Sequence, residues 1–264
     1  MFHTIKTGSL EYLTADSLSG SVHCFSTRFG GVSGGHLASL NLGTHRGDAP
    51  ENVRENYRIL GAAAGFAPEQ TVFTRQEHTD TILRVGKSDC GTGLSREQAV
   101  VCDGLITDEP GVALCCFGAD CTTILLFDPA TGALGAVHAG WRGTAMGIAA
   151  KAVAAICREF GCDPAGIRAA IGPCIGLCCF EVGPEVPEAM RNALGADAEP
   201  FFEPRGEKYH VDLKGLNRLW LERVGLSEID VCPDCTRCQP ERFWSHRAVG
   251  NQRGSQAAII MRKE

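Results

Sequence analysis

The sequence predicts an α+β fold: a single domain, residues 1–264, of mixed β-sheets covered by helices. Three observations predict it. Short apolar runs of strand length at 100–106, 112–117, 122–127 and 133–138 follow one another with no helical segment between them, which disfavours a doubly wound βαβ sheet. One Ala-rich segment, 143–160, carries clear helical periodicity and stops at Gly161. No GxGxxG opens a helix after a strand and there is no P-loop, so the nucleotide folds built on those loops are excluded.

The elements follow in order. Residues 22–28 alternate well enough for a strand and enter a Gly-rich loop at Gly30 to Gly35. Pro50 suits a first helical turn with Asp48 near the cap, and Val53, Tyr57 and Leu60 share one face of a helix running to about Gly65. Residues 71–75 and 81–85 read as strands either side of QEHTD. The four apolar runs are buried strands, and the helix at 143–160 follows the last of them. A strand returns at 167–171, helical patterns recur near 184–194 and 213–224, and a last strand spans about 256–262.

A chain of this length buries about 70% of the surface its unfolded form exposes, so no staples are needed. Fourteen Cys therefore do not imply a disulfide scaffold. Several of them, including Cys115, Cys116 and Cys157, lie in apolar runs where a thiol behaves as a small hydrophobe. Residues 1–20 lack a signal-peptide pattern, and no apolar stretch reaches membrane-spanning length. A reducing cytoplasm is the expected compartment. With a net charge of −6 and no basic run, neither nucleic acid nor a membrane is an expected partner. Nothing in the sequence fixes the oligomeric state.

Reactive side chains concentrate in three stretches: Gln76 to Asp80, Gly118 to Cys121, and Val137 to Thr144. If strands 122–127 and 133–138 pair as a hairpin, Cys121 and His138 sit at the same open end. Such a pair is either a thiolate–imidazole nucleophile or two ligands of a zinc ion. His78, at another strand end, is the best third ligand. Two His and one Cys leave one tetrahedral position open, the pattern of a catalytic zinc site. A helix begins just after His138, and Arg142 adds a planar donor, so an anion is expected nearby. The alternative is that Arg142 pairs with a surface acid and Trp141 fills the core. A second metal-binding pattern is Cys232-x2-Cys235-x2-Cys238, for which Cys174, Cys178 and Cys179 supply further ligands of a structural zinc or iron–sulfur site. The bacterial ferredoxin run is excluded, because Arg242 stands where its fourth Cys is required.

Seven motifs occur in order: Arg28-x-Gly30-Gly31-Val32-Ser33, Asn41-Leu42-Gly43-x-His45-x-Gly47-Asp48, Gln76-x-His78, Asp103-Gly104-Leu105-Ile106-Thr107, Ala119-Asp120-Cys121, Val137-His138-Ala139-Gly140-Trp141-Arg142-Gly143-Thr144 and Ile171-Gly172-Pro173-Cys174-Ile175-Gly176. Together they resemble the YfiH-type family, also called polyphenol-oxidase-like or laccase-domain proteins. The resemblance runs from about residue 22 to Ser245-His246-Arg247 and the final strand. It implies an α/β/β/α layered domain with zinc on His78, Cys121 and His138. It implies a purine nucleoside phosphorylase acting on adenosine, inosine, guanosine and methylthioadenosine, with adenosine deaminase activity beside it. Copper-dependent phenol oxidation and hydrolysis in peptidoglycan precursor editing are the alternatives it carries. Thr122-Thr123 replace the Leu-Pro usual after the Cys, and Ala248 stands where the family carries a second Arg.

On that reading Arg142, Arg247 and Arg58 are expected to hold the phosphate, with Asn41 in the substrate-binding set. Asp80 and Asp120, the nearest acids in sequence, are expected to move the proton in deamination. The zinc-deaminase signature, H-x-E with P-C-x-x-C, does not place here, so deamination requires a different geometry.

Overall fold

The computed structural model describes residues 1–263. The chain opens with a hairpin, β1 (Phe2–Thr7) and β2 (Leu10–Ala15), then β3 (Val22–Ser26), α1 (Pro50–Ala64) and β4 (Thr71–Phe73). Five strands follow without an α-helix between them: β5 (Ile82–Arg84), β6 (Gly104–Thr107), β7 (Ala113–Gly118), β8 (Thr122–Phe127) and β9 (Leu134–Ala139). The rest of the chain alternates: α2 (Trp141–Ala145), α3 (Ile148–Phe160), β10 (Arg168–Ile171), β11 (Glu181–Val182), α4 (Glu185–Leu194), β12 (Phe202–Arg205), β13 (Lys208–Val211), α5 (Leu213–Arg223), β14 (Ile229–Val231), α6 (His246–Val249) and β15 (Gln256–Met261).

Two six-stranded sheets form the centre, ordered β1-β2-β3-β15-β7-β4 and β14-β10-β8-β9-β6-β5, with a small sheet β11-β13-β12 beside them. Alternation of side chains along each strand sorts the core into layers. Leu114, Cys116, Ala258 and Ile260 of the first sheet meet Leu125, Phe127, Leu134 and Ala136 of the second. The opposite face of the first sheet, with Cys24, Cys115 and Ile259, packs on Val53, Tyr57 and Leu60 of α1. The outer face of the second, with Ile124, Leu126 and Val137, packs on Ile148, Ala152, Val153 and Ile156 of α3. The order is helix, sheet, sheet, helix. Each sheet is apolar on both faces, which is why its strands read as continuous apolar runs. Among the described residues, no helix is long and apolar enough to cross a membrane.

Two expectations change. The helix expected at 143–160 is two helices, α2 and α3, separated at Gly147, whose φ of +73° is a conformation open mainly to glycine. The turn is pinned where Trp220 Nε1 donates to the Thr144 carbonyl at 2.8 Å and Asn217 Nδ2 donates to its hydroxyl at 2.9 Å. The hairpin β1–β2 stands where no strand was expected. It is an edge: β1 is largely exposed, so it lacks the apolar run that marks the inner strands.

Candidate metal centre

The sandwich has one end at which both sheets present loops. β7 ends there at Gly118, the chain crosses between sheets through Ala119, Asp120 and Cys121, and β8 begins at Thr122. Asp120 makes this crossing with φ +94°, rare for a residue with a side chain. β8 and β9 pair antiparallel with Thr123 opposite His138, one residue from the symmetric count of six out and six back. That register decides the chemistry. His138 is two and four residues from Ala136 and Leu134, so it faces the space between the sheets. Cys121, two residues before Thr123, is on the same side; a slip of one residue would turn the two apart.

His78 arrives from the loop joining β4 in one sheet to β5 in the other, with φ +61°. Asp103, fully buried just before β6, holds that loop. Its carboxylate accepts the backbone N–H of Glu77 (3.2 Å), His78 (3.1 Å) and Thr79 (2.8 Å), and the Thr79 hydroxyl (2.8 Å). The same carboxylate takes His138 Nδ1 at 2.7 Å, and the Asp103 carbonyl accepts the His138 N–H at 2.7 Å. The His138 tautomer is thereby fixed with Nε2 left for a ligand, the usual carboxylate–histidine support of a metal site. Burial alone would raise the Asp103 carboxyl, but His138 and Thr79 hold it down at about 2.

The ligand atoms of His78, Cys121 and His138 all lie within 4.8 Å of one another, with Cys121 Sγ to His78 Nε2 at 3.8 Å. Tetrahedral zinc with ordinary bond lengths sets a sulfur–nitrogen separation of about 3.6 Å, so the set fits. Gly140 makes the approach close: a Cβ there would stand 2.6 Å from His78 Cδ2 and 3.4 Å from Cys121 Sγ. Burial opposes a thiolate at Cys121, yet the charge of His138 and hydrogen bonds from both imidazoles bring the thiol down to about 6. His138, which burial would lower, is raised to about 9 by Cys121 and Asp103. The two groups thus shift each other in opposite directions, the thiol down and the imidazole up.

The other residues expected at the site are placed differently. Asp120 is buried and both its oxygens are taken, by the Thr236 hydroxyl at 2.7 Å and the Arg247 N–H at 2.6 Å. It ties loops together rather than presenting a free carboxylate. Asp80 forms an ion pair with Lys151 of α3. Asn41 is fully buried, accepting from Gly43 N (3.0 Å) and Ser255 N (3.1 Å) and donating to Asp48 at 2.9 Å, so it braces the loops. Arg58 is exposed on α1 and doubly bonded to Glu55, in a groove lined by Glu51, Arg54, Glu69 and Leu94 that contains none of the three cluster residues. Arg142 is exposed and lies over Trp141 at 4.3 Å. Arg247 is the second residue of α6, with its guanidinium bonded to the Glu181 carbonyl at 3.0 Å.

Sequence reasoning missed three residues. Asp103 belongs to a quoted motif, and its only signal is an acid abutting an apolar strand. Arg46 and Arg253 were not singled out at all. Both are desolvated, which lowers each guanidinium's pKa; Arg253 falls to about 10, further pressed by the charge of Arg46. Arg253 also feels the charges of Asp120 and Cys121, and its buried Nε has no hydrogen-bond partner. Among the described residues neither guanidinium forms an ion pair.

The family profile described as "Multi-copper polyphenol oxidoreductase laccase" matches residues 22–263. The chain is 40% identical over 255 residues to "Purine nucleoside phosphorylase YlmD" of Geobacillus stearothermophilus, covering 95% of this chain and 93% of that protein. It is 37% identical over 228 residues to "Purine nucleoside phosphorylase YfiH" of Escherichia coli K12, covering 86% and 88%. The crystal structure of YlmD from Geobacillus stearothermophilus superposes with a TM-score of 0.93 at 37% identity, over 99% of both chains. On a profile that spans residues 22–263 and relatives that match the chain over most of its length, the chain belongs to the YfiH-type, laccase-domain family.

Proposed function

We propose that this protein is a zinc-dependent purine nucleoside phosphorylase acting on adenosine, inosine, guanosine and methylthioadenosine. The observation that carries the proposal is the convergence of His78, Cys121 and His138, with the desolvated Arg253 within electrostatic reach of Cys121 and of Arg46. The names of the relatives support the reaction class. In phosphorolysis an oxygen of phosphate bonds to the ribose C1′ as the C1′–N9 bond breaks. The purine leaves, takes up a proton, and ribose 1-phosphate remains.

His78, Cys121 and His138 would hold the zinc, which when bound supplies a cationic centre for an oxygen ligand. Arg46 and Arg253 hold the phosphate dianion, for which a half-buried guanidinium without a carboxylate partner is suited. Arg142 and Arg247 stand at the outer rim. Asp103 keeps the imidazoles oriented through substrate binding and release. Deamination of adenosine is the side activity: water adds at C6 and ammonia leaves, giving inosine. Its proton carrier is Asp80, on the loop that carries His78, once it parts from Lys151. The unpaired thiols support a reducing, cytoplasmic compartment.

A second reading rests on the low thiol pKa of Cys121 beside His138: a cysteine hydrolase with His138 as base, including one acting on peptidoglycan precursors. Copper on the same two-His, one-Cys set, with phenol oxidation, is a third, since those ligands accept either ion. One experiment separates them. Purified protein is analysed for zinc and copper and incubated with inosine or adenosine, with and without phosphate. Zinc content and base release that require phosphate are expected, and both are lost in Cys121→Ala. Base release that persists without phosphate or in the presence of a strong chelator would overturn the proposal.

A further inference from the structure

Four cysteines outside the His78 centre converge. Cys178 and Cys179 follow β10, and Cys235 and Cys238 follow β14, neighbouring parallel strands of the second sheet. Their loops continue side by side: Cys174 bridges Cys235 in parallel register, and Thr236 N donates to the Cys174 carbonyl at 3.1 Å. All four sulfurs lie within 4.8 Å of one another, with Cys178 to Cys238 at 3.5 Å and Cys179 to Cys238 at 3.4 Å. The Gly176 N–H donates to Cys235 Sγ at 3.2 Å, a contact that suits a metal-bound thiolate. The other two cysteines of these loops, Cys174 and Cys232, are fully buried and take no part.

We propose that Cys178, Cys179, Cys235 and Cys238 form a second metal site, a closed tetrathiolate that holds a structural zinc ion. Tetrahedral zinc with four sulfurs at ordinary bond length sets sulfur–sulfur separations of about 3.8 Å. The separations of Cys238 from Cys178 and Cys179 lie a few tenths of an ångström under that value, and no pair among the four exceeds 4.8 Å. A polynuclear iron–sulfur cluster places its cysteine sulfurs around several metal atoms and needs a wider cage than this one. With all four positions filled by protein, the ion has no place for substrate, so its effect is on the loops. Those loops meet the His78 centre through Asp120. Ile175 N donates to the Asp120 carbonyl at 2.9 Å, the Thr236 hydroxyl and the Arg247 N–H take its carboxylate, and the Arg247 guanidinium reaches the Cys179 carbonyl at 3.4 Å. The second ion thus clamps the segment that keeps Asp120 at positive φ and aims Cys121.

Metal stoichiometry tests this without reference to activity. Wild-type protein is expected to carry two zinc ions per chain, Cys235→Ser/Cys238→Ser one, and Cys121→Ala one. Cobalt loaded into Cys121→Ala, whose four-cysteine cluster is intact, is expected to show the intense absorption of a tetrathiolate. That measurement stands even if the double variant fails to fold. A single zinc in the wild type that disappears in Cys121→Ala overturns the proposal, as does iron with acid-labile sulfide, or a native disulfide among the four. Failure of the His78 reading looks different: Cys121→Ala then keeps the wild-type complement while the double variant still loses one ion.

Discussion

Asp103 is the side chain on which two of the three proposed ligands, His78 and His138, depend. One carboxylate, buried before β6, holds the loop that carries His78 and orients His138. Replacing it with Asn puts an NH₂ group among donors. Asp103→Asn is expected to weaken zinc binding 10- to 100-fold in a chelator competition. It should also lower stability by about 2 kcal/mol in denaturant unfolding, because a buried donor is left facing donors. Gly140→Ala separates the two effects. Gly140 has φ −64°, which alanine accepts, so the start of α2 is not strained. Its Cβ would nevertheless press on His78 and Cys121. Zinc affinity is expected to fall about tenfold or more by the same competition, with α2 and α3 unchanged by circular dichroism. Of the proposed ligands, Cys121 and His138 were legible in the sequence because they flank the buried strands β8 and β9, whereas His78 lies mid-loop between β4 and β5 rather than at the strand end expected of it. Asp103 was not legible, because its role exists only once β6 lies between β5 and β9 and brings its carboxylate to both histidines.

At the level of elements, what the sequence showed was strand and helix composition; what it concealed was register and breaks. The run 143–160 is helical throughout in composition, and only the tertiary contacts of Thr144 with Asn217 and Trp220 select the bend at Gly147. Of the hairpin β1–β2, β1 was hidden for the opposite reason, since an exposed edge strand has no apolar run, while in the buried β2 Glu11 and Thr14 interrupt the apolar residues. That hairpin is fastened by a buried histidine. His23 Nε2 on β3 accepts the Ala15 N–H at 2.9 Å, and Nδ1 meets the Ser21 hydroxyl at 3.1 Å. Burial pushes the His23 pKa below its ordinary 6.5. A depressed folded pKa means the unfolded chain takes up a proton first as pH falls. The contribution of His23 is therefore complete above about 6.5 and is lost as pH drops through its lower folded value. Stability measured by urea unfolding is expected to decline as pH falls below 6.5, with a shallower decline in His23→Gln. Equal slopes in the two proteins would show that His23 is not the group responsible.

Across the whole molecule, segments far apart in sequence meet at one end of the sandwich because both sheets finish there. β3, β7 and β9 end, and β8 and β15 begin, at this edge, so the loops after Ser26, Gly118 and Ala139 and before Gln256 are neighbours by topology. This is why motifs spread over the chain describe a single place, and why Arg46 and Arg253 meet although no spacing in the sequence pairs them. Arg46 Nε donates to the Ser255 hydroxyl, and Asn41 ties the same two loops. Two desolvated like charges repel, and the fields of Asp120 and Cys121 offset this only in part at Arg253, whose guanidinium stays below its ordinary pKa. A dianion bound between them reverses that sign. Arg253→Met should then raise the KM for phosphate 10- to 100-fold, the loss of one charge-assisted contact, with zinc content unchanged. The same substitution should leave phosphate-free thermal stability equal or higher, because it removes a half-buried charge beside another. Phosphate should raise the melting temperature of the wild type and not of the variant. A variant that loses stability in the absence of phosphate, with the KM unmoved, would make Arg253 a structural residue of the loop and leave the anion to Arg142 and Arg247.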